Sequence, residues 1–254
     1  MLLACAETFR SFTACHLATV LVCAAAAVAF IAIGRRAQTA ASPAREFRVR
    51  WVWAGLIVIG QILTILFWIS PGRFELDKSL PLHICDLAPW AAVAALLGGP
   101  RWTRTLTYFW GIGLCTQAFF TPIVEEGWAK PQFWFFWIQH TQIVASAAYL
   151  LVVSGYRPNW RDFGVTSAIS IAYVLVMMAF NQWQDVNYGY VGGRSPDVRT
   201  VIDALGPWPL RVLWLALIVE GVFALLVLVW RLPRPSADRK GSEVEPGADQ
   251  PAGG

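Results

Sequence analysis

Charge is what this sequence has least of. Only 14% of its 254 residues are Asp, Glu, Lys or Arg, against 57% hydrophobic, and the mean hydropathy is +0.51. A soluble domain carries about 25% charged residues, so an ordinary water-soluble fold is excluded and the bilayer is the solvent. The five cysteines, Cys5, Cys15, Cys23, Cys85 and Cys115, are odd in number and lack ligand spacing. They indicate neither a zinc site nor a disulfide framework, and at least one thiol should be free. No metal and no cofactor is expected. An internal repeat is missing too, which removes the inverted-repeat signature of many transporters. The net charge of +4 is scattered over short loops instead of gathered on one face, so no nucleic-acid partner is expected.

What the chain has in quantity is long apolar runs and tryptophan. A membrane-spanning helix needs about 20 predominantly apolar residues, and candidates lie near 13–33, 51–70, 80–98, 104–121, 131–153, 163–183 and 207–231. The expected fold class is therefore all-α, a polytopic bundle of seven transmembrane helices in a multi-pass protein of the cell membrane, the bacterial cytoplasmic membrane. The third and fourth runs are the weakest, since they carry His83, Asp86, Thr116 and Gln117. Many of the 14 Trp, among them Trp51, Trp68, Trp134 and Trp183, stand where apolar runs meet polar ones, as interfacial belts do. Seven spans sort the 20 Lys and Arg as 13 on one set of loops and 7 on the other. By the positive-inside rule this predicts an outside N-terminus and a cytoplasmic C-terminus. The basic cluster follows the first run, so that run reads as an N-outside helix and not as a signal peptide. From 232 to 254 the sequence is Pro, Gly, Ala and charge, a predicted disordered cytoplasmic tail.

Ionisable groups inside hydrocarbon are expensive and face a bundle interior or a cavity. His83, Cys85, Asp86, Gln117, His140, Asn181 and Glu220 all fall in or next to spans, most of them in the outer half. An outward-opening pocket is the economical expectation. Pro89 sharpens it, because a helical proline has no N–H to give and clashes with the carbonyl four residues back, here that of Cys85. The backbone should be opened at the cysteine. In a regular helix His83 and Asp86 share a face, whereas His83 and Cys85 are about 200° apart. His140 is therefore the better partner for the thiol, with His16 a further candidate. Plainer readings stand beside these: buried Cys as a small hydrophobe, a Cys85–Cys115 disulfide, a structural His140, and Glu220 protonated and hydrogen-bonded between helices.

The stretch Leu80-Pro81-Leu82-His83-Ile84-Cys85-Asp86-Leu87 resembles the signature of the YwaF-like bacterial integral membrane proteins and their eukaryotic relatives, the transmembrane protein 164 family. Weaker similarity lies in Phe136 to His140, in Asn187-Tyr188 with Pro196, and in Leu205-Gly206-Pro207-Trp208-Pro209 leading to Glu220, so that roughly 50–230 is covered. The resemblance implies acyl transfer between lipids through Cys85, with membrane lipids as partners. His140 or His83 would then act as base and Asp86 would orient a histidine, while Gln117, Asn181, Asn187 and Glu220 would contact substrate. The alternative is a small-solute transporter or receptor that uses His83, Asp86, His140 and Glu220 for binding and has no catalytic activity. Haem or metal ligation by His83 and His140 has no supporting spacing. The sequence fixes no oligomeric state.

Overall fold

The computed structural model describes residues 4–40, 42–194 and 205–231. Within them the chain is helical: α1 Ala4–Glu7, α2 Ala14–Thr39, α3 Pro43–Trp68, α4 Ile84–Leu96, α5 Arg101–Tyr108, α6 Pro131–Val152, α7 Trp160–Gln184 and α8 Leu210–Leu228. The expected tail from 232 to 254, and Pro196, lie outside the described residues. Five helices, α2, α3, α6, α7 and α8, are long and apolar enough to cross a membrane. The two remaining expected spans are built differently. Helix α4 has 13 residues, about 20 Å at 1.5 Å per residue, short of a hydrocarbon layer roughly 30 Å thick. Helix α5 continues as a π-helical turn, Phe109–Leu114, and then a 3-10 turn, Cys115–Phe119. These are the two runs whose polar content weakens them in the sequence.

Contacts at the two ends fix the alternating directions of the segments. At the N-terminal end, Phe9 N–H donates to Glu125 O at 2.7 Å and Gly127 N–H to Glu7 O at 3.0 Å. A Cβ on Gly127 would meet the Cys5 carbonyl at 2.3 Å, so only glycine fits there. Cys5 and Cys15 form a disulfide, while Cys23, Cys85 and Cys115 are free. This corrects the expectation of no disulfide: the N-terminal segment folds back on the 124–130 loop and brings together two cysteines ten residues apart. The Cys85–Cys115 bridge is not formed. At the opposite end, Arg101 grips Asp162 with two bonds of 2.8 and 2.7 Å, Gln38 Nε2 reaches Val153 O at 2.9 Å, and Arg50 Nη1 reaches Leu96 O at 2.9 Å.

Helix α6 is the pillar of the bundle. In its most apolar stretch 61% of residues are buried, against 11–22% in α2, α3, α7 and α8. Outward-facing Leu21, Val52, Leu63, Leu175, Leu217 and Leu225 on those four helices are exposed, as lipid-facing residues should be. Close approach to α6 depends on small residues. A Cβ on Gly34 would meet the Tyr149 ring at 2.2 Å, and one on Gly111 would meet Ala147 Cβ at 3.0 Å. Tyr149 in turn stacks on Phe30, which stacks on Trp53, and its hydroxyl donates to Glu46 at 2.8 Å.

Candidate active site

The proline in α4 sets the local geometry. Because Pro89 lies inside the helix without an N–H, the Cys85 carbonyl has no intrahelical donor. Gln139 of α6 supplies one: its side-chain amide donates to Cys85 O and also to Asp86 Oδ1 at 3.1 Å. Asp86 Oδ2 accepts the His83 backbone N–H at 3.0 Å, capping the first turn. Cys85 is thus the second residue of a helix whose start is tied on both sides.

His83 precedes that helix instead of lying within it, so the 200° separation from Cys85 expected in a regular helix does not apply. Its ring packs between Tyr188 and Tyr190, with centroids at 5.1 and 5.7 Å. Nδ1 accepts the Gly189 N–H at 3.3 Å. An accepting Nδ1 is unprotonated, which assigns the proton of the neutral ring to Nε2. Gly189 makes the approach possible: its φ is +66° and a Cβ would meet the Tyr173 hydroxyl at 2.6 Å. Burial pushes the Tyr190 phenol up to about 12, with the neighbouring Cys85 and Asp86 adding to it, so it stays a neutral donor.

His140 has the opposite tautomer. Its Nδ1 lies 2.8 Å from Phe136 O, and since a carbonyl only accepts, Nδ1 carries the proton and Nε2 keeps its lone pair. Among the described residues Nε2 has no hydrogen-bond partner. His16 is used up: Nδ1 accepts Phe12 N–H at 3.0 Å and Nε2 donates to Phe119 O at 3.0 Å. It serves the N-terminal cap of α2 and not the site.

A cavity of about 660 Å³ joins these groups. His83, Cys85, Asp86, Gln117, His140 and Glu220 all line it, together with Cys115 and Tyr190. It reaches the loop residues Asp77–Leu80 and Ile123 at the N-terminal end, and its flank includes Ile171 and Leu175, which are 52% and 63% exposed. A volume of this shape borders both the end of the bundle and its apolar side. Glu220 accepts the Ser167 hydroxyl at 2.5 Å, an interhelical bond between α7 and α8. Sγ of Cys85 makes no hydrogen bond to either histidine ring among the described residues.

Two expected substrate contacts lie elsewhere. Asn181 is 2% exposed, donates to Tyr188 O at 2.8 Å and accepts Tyr188 N–H at 2.9 Å. Asn187 accepts Gly192 N–H at 2.8 Å and donates to Arg194 O at 2.9 Å. Neither lines the cavity, because both amides are spent on the backbone of the loop after α7. That loop holds the other: the Tyr188 hydroxyl accepts Leu80 N–H at 3.0 Å and donates to Leu76 O at 2.7 Å. The residue missed in the sequence is Gln139, and the signal for it was the orphaned Cys85 carbonyl, which demands a donor from a neighbouring helix.

No curated protein and no solved structure matches the chain. The TMEM164 family model, in contrast, matches residues 11–227, from just before α2 to the last turn of α8. With that span covering the helices that build the cavity, the protein is a membrane protein of the TMEM164 family.

Proposed function

We propose that the protein transfers acyl groups between membrane lipids with Cys85 as the nucleophile. The supporting observation is the complementary pair of histidines at one cavity with a thiol: His140 offers a lone pair on Nε2, and His83 offers a proton on Nε2. In the first half-reaction His140 takes the Sγ proton and the thiolate attacks the ester carbonyl of the donor lipid. The C–S bond forms as the C–O bond breaks, and the leaving alkoxide recovers the proton from His140. In the second half the acceptor hydroxyl gives its proton to His140 and attacks the thioester, and sulfur leaves as thiolate. Splitting one transfer into two easier displacements is the gain of covalent catalysis. His83 Nε2–H and the neutral Tyr190 hydroxyl are the donors for the developing oxyanion. Hydrogen bonds of this kind are commonly long without substrate and tighten in the loaded complex.

The reading extends to topology: seven spans, the N-terminal end outside, and the cavity opening to the outer leaflet. The sequence supports it through the 13 to 7 charge asymmetry.

The test is hydroxylamine-sensitive acyl labelling of the purified protein with a panel of phospholipid donors. Cys85→Ser should abolish labelling while leaving the fold intact, since the side chains are nearly isosteric and a serine hydroxyl is far harder to ionise. His140→Gln should slow labelling by about 10²–10⁴-fold, the usual contribution of a general base. Equal labelling of wild type and Cys85→Ser removes Cys85 from the mechanism. No labelling with any donor favours a binding or transport role for the cavity.

A further inference from the structure

One polar side chain in the cavity has no role in the chemistry above and no partner. Gln61, in the middle of α3, is 2% exposed and lines the cavity, and among the described residues its amide makes no hydrogen bond. An amide that faces a cavity without a protein partner is free to bond what enters it, and leaving such a group unpaired away from bulk water is costly. Its neighbours on the helix face the same way. Thr64, Ile65 and Trp68, three, four and seven residues on, also line the cavity, the spacing of a single helical face. The Thr64 hydroxyl already donates to Gly60 O at 2.9 Å, so it is spoken for as a donor.

Helix packing places Gln61 at the level of the reacting groups. Helices α3 and α4 run antiparallel, with Arg50 bonded to Leu96 O at the opposite end. Eleven residues along each helix from that contact are Gln61 and Cys85, at about the same height for equal rise per residue. Helices α3 and α6 are also antiparallel, with Phe67 against Phe135 and Gly60 beside Gln142, which sets Gln61 level with His140 and Thr141. The thiol, the free histidine nitrogen and the unpaired amide therefore border one stratum of the cavity from three helices.

An amide offers one acceptor and two donor hydrogens, so the group that satisfies it is a hydroxyl or an ester oxygen. Among the described residues, no Lys or Arg lines the cavity at this level, which speaks against a phosphate there. Ile65, Leu114 and Phe135 also line the cavity, an apolar stretch of wall that suits a hydrocarbon chain. We propose that Gln61 is a ligand-binding residue that receives the uncharged glycerol hydroxyl or ester oxygen of a lipid whose chain occupies the cavity. This rests on the acyl-transfer reading for its purpose, but the binding itself can be measured without turnover.

The experiment follows alkylation of Cys85 by N-ethylmaleimide, read by peptide mass spectrometry on the full chain in amphipol. Two probes share a phosphocholine head and a sixteen-carbon chain: palmitoyl lysophosphatidylcholine, with its ester and free hydroxyl, and hexadecylphosphocholine, with neither. In wild type the first should protect Cys85 at about fivefold lower concentration, the effect of one ordinary hydrogen bond. In Gln61→Leu the two probes should protect equally. The ligand-free alkylation rate should be unchanged, and the midpoint of thermal unfolding should rise, because an unsatisfied amide has been replaced by a hydrocarbon. A structural role would lower that midpoint. Gln61→Met serves in the same assay should the leucine variant not fold. A preference kept in the variants, equal protection in wild type, or no protection by either probe overturns the proposal. Acyl labelling of the same samples separates the two ideas: a lost preference without any thioester leaves Gln61 as a binding residue and removes acyl transfer, and a thioester with the preference intact does the reverse.

Discussion

The residue on which the geometry of the site turns is Gln139, because it compensates for what Pro89 removes. An amide that donates to both the Cys85 carbonyl and the Asp86 carboxylate satisfies two buried acceptors at once. Removing it takes the donor from the Cys85 carbonyl and leaves Asp86 with only the His83 N–H, at about 1–3 kcal/mol for each lost bond. Gln139→Leu should therefore lower stability by about 2–4 kcal/mol and change the pH profile of Cys85 alkylation, since Asp86 is the next residue and lines the same cavity. Gln139→Glu should also shift that profile, with a carboxyl now set against Asp86. A profile identical to wild type in both variants would reduce Gln139 to packing. Much of this was legible in the sequence: Pro89 announces the opened carbonyl, and the rarity of ionisable residues draws attention to His83, Asp86, His140 and Glu220, which the fold gathers at one cavity. What was not legible is which helix answers the carbonyl, since that depends on the rotation of α6. The two asparagines were unreadable for a related reason. A loop that folds back on its own backbone consumes side chains that look available in one dimension.

At the scale of elements, long apolar runs were easy to read and short ones were not. The expected spans near 13–33 and 51–70 correspond to helices Ala14–Thr39 and Pro43–Trp68. Both are longer because the arginine-rich segments beside the connection at 40–42 stay helical beyond the apolar part. Helix α4 and the α5 segment owe their irregularity to Pro81, Pro89, Gly111 and Gly113, whose effects are backbone effects that hydropathy does not record. The contact of α2 with α6 tests the packing account. Gly34→Val would place methyls inside the Tyr149 ring and break the Phe30–Tyr149 stack, and overpacking of this kind costs about 1–3 kcal/mol. Gly34→Ala should be milder but of the same sign. Thermal unfolding in detergent, followed by the exposure of free thiols, would register either change, and wild-type stability in Gly34→Val would mean that α2 is not seated on α6 as described.

Over the whole molecule, the two ends of the bundle differ in chemistry. One carries the Cys5–Cys15 disulfide and the mouth of the cavity; the other carries Arg35, Arg36, Arg45, Arg48 and Arg50, with Arg101 held by Asp162. In the topology proposed above, the disulfide end faces an oxidising compartment and the arginine-rich end the cytoplasm. Reporter fusions at Ser42 and Gly155 should both report cytoplasm and one at Gly72 the outside; a cytoplasmic signal at Gly72 would invert the assignment. The 13-residue length of α4 has its own consequence at this scale. Helix α3 rises to Trp68, while α4 begins only at the level of Gln61, so the floor on which Cys85 stands is sunk about 10 Å below the rim, at 1.5 Å for each of the seven residues between. A lipid whose head rests on the rim presents to the sulfur not its phosphate but whatever lies one step down its length. On the acyl-transfer reading proposed above, the difference in length between two neighbouring helices is a depth gauge, set by the protein and not by the bilayer, for the part of an amphiphile that meets the thiol.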